Sequence, residues 1–373
     1  MKSQKLIALG LTGALALGAA ACGSSNNSTN PSASSSSSSS SSGSKKGGTI
    51  NGAGATFPAP VYSEWAARFK DKQGTTVNYQ AIGSGGGIAQ FTAGTVDFGA
   101  SDAAMKDTEI AAAKKKGDPV HVPTVLGAVT VAYKVGGVPK GLKLDGATIA
   151  DIFLGKITKW NDPKIAANNS GVKLPSTAIA VCHRSDASGT TKNFTQFLAA
   201  YSKAWASGPG SDKTVKWPTG TGAKGNDGVA GCVKQTEGAV GYVEQAYALQ
   251  NNFTTAAVKN KAGNFVEPSL AATSAAGAAA KPPADLRFST IDGPGAQTYP
   301  ISAVTFLLVY QDMCKAGVAQ NTAGLTKAWL NYALGAGQTI APELQYAPLP
   351  AAIKQQAQAK VDALVCNGQP LKG

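Results

Sequence analysis

Residues 184–194 read RSDASGTTKNF, an arginine and an aspartate followed by small hydroxylated and glycyl residues. Phe194, Phe197 and Leu198 fall at helical spacing, so the stretch predicts an amphipathic helix with Ser188, Gly189 and Thr190 in its first turn. Backbone N–H groups there have no intrahelical partner and lie at the positive end of the helix dipole. Such a turn suits an anion, and Arg184 adds a planar fork able to bind two oxygens at once. Asp186 is placed to orient that fork and partly neutralise it. The same residues also allow a plain serine N-cap. A third reading makes Ser188 the nucleophile of a secreted hydrolase acting on phosphate esters, with His183 and Asp186 nearby in sequence. The G-x-S-x-G elbow of such enzymes is absent, and His183 would have to turn back to reach Ser188.

The elements that would carry this loop recur along the chain. TINGAGATFP (49–58) is a short strand breaking into a Gly-rich turn, and Pro58 and Pro60 then open a helix with Val61, Trp65 and Phe69 as its apolar stripe. A β-branched and aromatic stretch, 77–82, leads into GSGGG (83–87), after which a helix begins with Ile88 and Phe91 at i, i+3. VDFGASDAA (96–104) is a short apolar strand ending at Ser101 and Asp102, ahead of a polar helical stretch over 105–116. IAVCHRSDASGTT (179–191) is the fourth case. Strand, small-residue loop and helix in repetition mean an α/β fold, in which ligands occupy the crevice at the carboxyl ends of the strands. Glycine at these turns permits close backbone approach to a ligand. GTGAKG (220–225) satisfies the G-x-G-x-x-G dinucleotide pattern but follows Trp-Pro-Thr and not a strand, so nucleotide binding is not expected. Its glycines read as a loop near the cleft mouth, before a helix beginning at Asn226. His121 lies in an apparent strand and reads as structural.

The chain's outline fixes a compartment. Lys2 and Lys5 precede the uncharged run 6–21, whose 16 residues are shorter than the ~20 needed to span a bilayer. It reads as an export signal. Ala-Ala-Ala-Cys at 19–22 looks like a bacterial lipoprotein cleavage box, in which Cys22 becomes the lipidated N-terminus, although such boxes prefer leucine where Ala19 stands. Residues 23–46, with unbroken serine from 34 to 42, cannot form a core and read as a flexible tether of about 25–30 Å reach. The protein is therefore expected on the outer face of the cell membrane, held by its lipid. Five cysteines leave one odd thiol; with Cys22 lipidated, Cys182, Cys232, Cys314 and Cys366 can form two disulfides in any of three connectivities. No C-x-x-C occurs and there are two histidines, so neither a metal nor a cofactor is expected. The net charge is +13, but the lysines are scattered without a basic helix, which argues against nucleic acid. A basic surface facing anionic lipid or wall polymer accounts for it.

GAGATFPAPVY (52–62), IGSGGG (82–87), TVDFGASD (95–102), RSDASGT (184–190), GYVEQAYA (241–248) and LDGATIADIFLGKITKWND (144–162) resemble the phosphate-binding protein of the high-affinity phosphate ABC importer. The resemblance runs in consistent order from about residue 47 to 350. It implies an α/β, two-lobed periplasmic-binding-protein fold, each lobe a mixed sheet flanked by helices, joined by two hinge strands and closing on inorganic phosphate. Lobe I would be 47–124 plus 301–373, and lobe II 125–300. Pairing Cys182 with Cys232 and Cys314 with Cys366 keeps each disulfide within one lobe. Carried over by position, the ligand contacts would be Ala55, Thr56, Phe57, Ser84, Asp102, Arg184, Ser188, Gly189 and Thr190. Four of these offer hydroxyl donors, and Phe57, Ser84, Gly189 and Thr190 offer backbone N–H groups. His183 departs from the family, which often has another basic residue there. The Ala/Pro-rich stretch 268–283 also departs, and is expected to be a surface insertion with no role in binding. The implied function is binding without catalysis, by a monomer that delivers phosphate to two permease subunits and their cytoplasmic ATPase pair. A purely structural surface protein would have no use for Asp102 beside an anion cradle.

Overall fold

The computed structural model describes residues 47–373; the expected signal segment, Cys22 and the 23–46 tether lie outside the described residues. The first three strand–helix units are β1 (Gly48–Gly54) with α1 (Ala59–Gln73), β2 (Thr75–Ala81) with α2 (Ser84–Ala93), and β3 (Phe98–Ser101) with α3 (Asp107–Ala113). A long strand, β4 (Pro119–Lys134), follows. Then come β5 (Ala180–Arg184) with α4 (Gly189–Tyr201), β6 (Thr221–Ala223) with α5 (Gly225–Gln235), and β7 (Ala239–Glu244). Helix α6 (Leu270–Ala278), β8 (Ser302–Tyr310) and α7 (Gln320–Leu334) complete the elements that bear on the site.

The strands order as β2-β1-β3-β8-β4-β7-β5-β6. Pairing is parallel among β2, β1 and β3 and again among β7, β5 and β6, while β8 and β4 run antiparallel to their neighbours. The result is the two-lobed α/β fold with a mixed sheet in each lobe. Strand β4 is common to both: its first half pairs with β8 and its second half with β7. Burial explains its composition, since nearly every residue from Val120 to Tyr133 is buried and the run is rich in valine and alanine. The register of β4 against β8 shifts between Thr305 and Phe306, where Thr124 is the extra residue. Bulges of this kind re-aim side chains beside functional sites.

Proline placement and apolar spacing act as expected on α1. Pro60 lies in its first turn, Val61, Trp65 and Phe69 are buried, and Gly74 closes it with a left-handed φ of 73°. Trp65 and Phe69 meet Trp329 of α7 edge-on, with centroids 6.2 and 5.5 Å apart. Such pairs add about 0.5–1.5 kcal/mol each beyond the area they bury. Disulfides join Cys182 of β5 to Cys232 of α5, and Cys314 to Cys366.

Two expectations are corrected. Residues 268–283 are not a surface insertion: Ala272, Thr273, Ala276 and Gly277 of α6 are buried, and Tyr299 N–H donates to Ala272 O at 3.2 Å. A Cβ at Gly277 would stand 3.1 Å from Leu126, so the small residues are there to let the helix approach β4. The second correction concerns GSGGG, whose last three glycines lie inside α2 and not before it. A Cβ on Gly87 would come within 2.4 Å of Gly54 Cα and 2.6 Å of Ala53 O. Close packing of helix on strand, and not loop flexibility, selects that glycine.

Candidate functional site

The four small-residue loops are stitched to one another by backbone hydrogen bonds. Gly83 N–H donates to Gly54 O at 2.8 Å, Ala55 N–H to Ala100 O at 3.1 Å, and Gly85 N–H to Ala187 O at 2.8 Å. Ser188 caps α4, its Oγ accepting from Thr191 N at 3.0 Å. Gly189 N–H, free of the helix ladder, donates instead to Ser84 Oγ at 3.0 Å. That approach requires glycine: a Cβ there would lie 2.5 Å from Ser84 Oγ and 2.8 Å from Asp102 Cβ.

Arg184 is buried at the end of β5. Its Nε and Nη2 donate to the two carboxylate oxygens of Asp186 at 2.7 and 2.5 Å, and Nη1 reaches Thr190 Oγ1 at 3.3 Å. Asp186 Oδ1 also accepts from Gly225 N–H at 3.0 Å. Burial alone would raise the Asp186 carboxyl, but Arg184 and the Gly225 N–H together bring it below the usual carboxylate range. A charged fork held on one edge in this way keeps its other edge for a ligand.

Asp102 lies opposite, 2 % exposed. Its Oδ1 accepts from Thr305 Oγ1 at 2.9 Å, Ser84 Oγ stands 3.5 Å from Oδ2, and its backbone O accepts from Asn193 Nδ2 at 2.7 Å. Burial pushes the carboxyl up to about 7, against the pull of the Thr305 bond, the Arg184 charge and Ser84. This group can therefore hold or accept a proton near neutral pH. Thr56 Oγ1 accepts from both the backbone N (3.1 Å) and the Nδ2 (2.8 Å) of Asn226. Phe57 O accepts from Tyr346 OH at 2.7 Å. Ala55 contributes no free polar group, because its N–H is taken by Ala100 and its O accepts from Tyr79 OH at 2.6 Å.

The structure links Ser84 to Asp102 and Gly189, Arg184 to Thr190, and Thr56 to Thr190 through Asn226, while Ala55 and Phe57 flank Thr56 and Ser188 precedes Gly189. Sequence reading missed Asn226, Asn193 and Thr305. Thr305 is a lone hydroxyl in the apolar run AVTFLLV (303–309), and Asn226 directly follows the GTGAKG glycines. That segment is more than a loop: it contains β6, and Gly225 takes a left-handed φ of 72° as it turns into α5. Glu244 is a further buried group, its carboxyl held well above the usual range by burial. As the acid it can donate from Oε2 to Tyr346 OH, 2.8 Å away, freeing that hydroxyl's one hydrogen for Phe57 O.

The geometry does not assemble a serine nucleophile. Ser188 Oγ is engaged with Thr191 N, while the His183 ring stacks on Trp217 with centroids 4.6 Å apart and its Nδ1 lies 3.0 Å from Arg184 O. His121 is a core residue whose Nε2 accepts from Met105 N at 3.0 Å. Burial lowers it to about 4, so it is neutral. Among the described residues no cluster of three or more His, Cys, Asp or Glu side chains could hold a metal.

A family model described as a PBP superfamily domain matches residues 39–336. A phosphate-binding protein PstS of Pasteurella multocida is 43% identical over 331 residues, covering 87% of this chain and 93% of that protein. PstS3 of Mycobacterium bovis is 35% identical over 370 residues, covering 96% and 98%. Among solved structures, a high-affinity periplasmic phosphate-binding protein (PfluDING) bound with phosphate superposes with a TM-score of 0.66 at 25% identity, covering 83% of this chain and 93% of that one.

Proposed function

The chain belongs to the PstS phosphate-binding proteins of the PBP superfamily, and from that premise we propose that it binds inorganic phosphate between its lobes and delivers it to an ABC permease. The observation that carries this reading is the buried Arg184 fork, held by Asp186 beside Thr190, in loops that hydrogen bonds join through Ser84 to Gly189 and through Asn226 from Thr56 to Thr190. Charge-assisted donors of this kind are the natural partners of a phosphate oxygen. Thr56, Phe57, Ser84, Asp102, Arg184, Ser188, Gly189 and Thr190 would make the contacts, and Ala55 would shape the first loop. We assign lobe I to 47–124 plus 301–373 and lobe II to 125–300, with hinges at 124–126 and 299–302.

The role is that of a receptor, a monomer without catalysis. It would be lipidated at Cys22, held outside the membrane by the 23–46 tether, and engaged by two permease subunits with their ATPase pair. Mass spectrometry of the mature N-terminus tests the anchor; a chain that starts elsewhere and carries no diacylglycerol would refute it. Calorimetry with inorganic phosphate, alongside a phosphatase assay, tests the function. Saturable binding with no turnover is expected. In Arg184→Ala the oxyanion loses a charge-assisted bond of about 1.5–3 kcal/mol, a loss of about ten- to hundred-fold in affinity. A loss below threefold would remove Arg184 from the site.

A further inference from the structure

Asn226 makes no contact assigned to phosphate in the reading above, yet every polar atom of its side chain is committed. It lies in the first turn of α5, after Gly225, and is fully buried. Its Oδ1 accepts from Glu244 N–H at 2.9 Å, which fixes which end of the amide is oxygen. Nδ2 must then supply the two remaining bonds, and it does so to Thr56 Oγ1 at 2.8 Å and Thr190 Oγ1 at 3.4 Å. The Asn226 backbone N–H also donates to Thr56 Oγ1, at 3.1 Å.

A hydroxyl oxygen has two lone pairs and one hydrogen. Both lone pairs of Thr56 Oγ1 are taken by Asn226. Those of Thr190 Oγ1 are taken by Asn226 Nδ2 and Arg184 Nη1, the latter at 3.3 Å. Neither oxygen can accept further, so each must donate its hydrogen. We propose that Asn226 is a positioning residue for the oxyanion: it saturates the acceptor sites of Thr56 and Thr190 and thereby commits both hydroxyl hydrogens to the ligand. A free threonine hydroxyl can rotate and present a lone pair to an anion, which repels it. Here that orientation is removed before the ligand arrives, as preorganised donors require.

The inference rests on the phosphate-binding reading, and the test separates the two. Wild-type protein that fails to bind inorganic phosphate would sink that reading itself. Given wild-type binding, phosphate affinity is measured by calorimetry in two double-mutant cycles, Asn226→Ala with Thr56→Val and Asn226→Ala with Thr190→Val. Asn226→Ala alone should weaken binding about ten- to hundred-fold, the worth of two donors no longer held. In each valine background the same substitution should cost only about three- to tenfold, because one of the two hydroxyls that Asn226 orients is already gone and the other remains. The Thr190 cycle is decisive, since Thr190 and Asn226 share a lobe in our assignment and their coupling cannot arise from interlobe closure. Costs that multiply independently in the Thr190 cycle overturn the proposal. If Asn226→Ala fails to fold, Asn226→Leu fills the same space, and the cycles are read with it by the same criteria.

Discussion

Asp102 is the residue that looks out of place in an anion site. A carboxylate about 4 Å from an anion costs roughly 4 kcal/mol at an effective dielectric of 20. Inorganic phosphate has one more ionisable hydroxyl than a phosphoester, whose second ionisation lies near pH 6, so it still carries a proton near neutrality, whereas sulfate carries none. The phosphate proton can be given to Asp102 Oδ2, turning repulsion into a charge-assisted hydrogen bond. Selectivity over sulfate should then approach a thousandfold. Asp102→Asn should keep appreciable phosphate affinity, since its amide oxygen still accepts, while sulfate binding improves. Competition titrations of the two proteins decide this: a variant that rejects sulfate as strongly as wild type would clear Asp102 of the role. The same carboxyl sets a pH dependence. Burial holds it at about 7, so the folded chain keeps a proton that the unfolded chain releases near pH 4. Its stabilisation is full below about pH 4 and is lost as pH rises through about 7. Glu244, also raised by burial, acts in the same direction. Without phosphate, the melting temperature should fall between about pH 4 and 7, and Asp102→Asn should flatten part of that slope. Equal slopes in the two proteins would mean that Asp102 titrates as an exposed carboxyl. At this scale Arg184 and Asp186 were legible because a cation beside a helix start states its chemistry in sequence. Asn226 and Thr305 were not, because their partners are brought together by the fold from 170 and 203 residues away.

Strand, tight turn and helix were legible at the level of the element, because β-branched runs end in glycine and apolar spacing then switches to helical. Less legible was what each glycine does. Gly87 and Gly189 look alike in sequence but serve different states. A Cβ on Gly87 meets Gly54 and Ala53 of the neighbouring strand, 2.4 and 2.6 Å away, contacts that exist whenever the first three strand–helix units are folded. One on Gly189 meets Ser84 and Asp102, which lie across the cleft from α4. Gly87→Ala should therefore destabilise the ligand-free protein by about 1–3 kcal/mol or more, seen in denaturant titration. Gly189→Ala should leave that stability within about 0.5 kcal/mol and weaken phosphate binding at least tenfold. Unfolding of both variants at the same lower denaturant concentration would contradict the distinction. The stretch 268–283 shows the converse difficulty: alanine and glycine read as filler in sequence, yet in α6 small size is what allows Gly277 to lie against Leu126.

The two lobes follow from a single long strand feeding two sheets, and the proposed closure draws on what bridges them. Strands β4 and β8 carry the chain between the proposed lobes, and the bulge at Thr124 lies within the proposed hinge. Across the cleft rim Lys106 pairs with Asp212, Lys213 Nζ with Glu109 at 2.8 Å, and Arg287 Nη1 with Asp107 at 2.8 Å. Each pair takes its partners from opposite sides of the assigned boundary, so all three can form only when the lobes meet. Exposed pairs contribute about 0–1 kcal/mol each and are screened beyond about 8 Å at physiological ionic strength. The Lys213–Glu109 pair is the most buried of the three and should contribute most. Together they bias closure without locking it, as the proposed delivery of phosphate would require. Small-angle scattering should show the radius of gyration falling when phosphate is added, and an unchanged curve at saturation would count against hinge closure. The net charge of +13 also attracts phosphate in a salt-dependent way, so the rim pairs are isolated by comparing variants. Lys106→Ala combined with Lys213→Ala should weaken phosphate affinity by less than about tenfold at low salt. At high salt the difference between variant and wild type should shrink, as the exposed Lys106–Asp212 pair is screened more than the partly buried Lys213–Glu109 pair. A deficit that persists undiminished at high salt would mean that these lysines act by packing, not as charges that hold the lobes together.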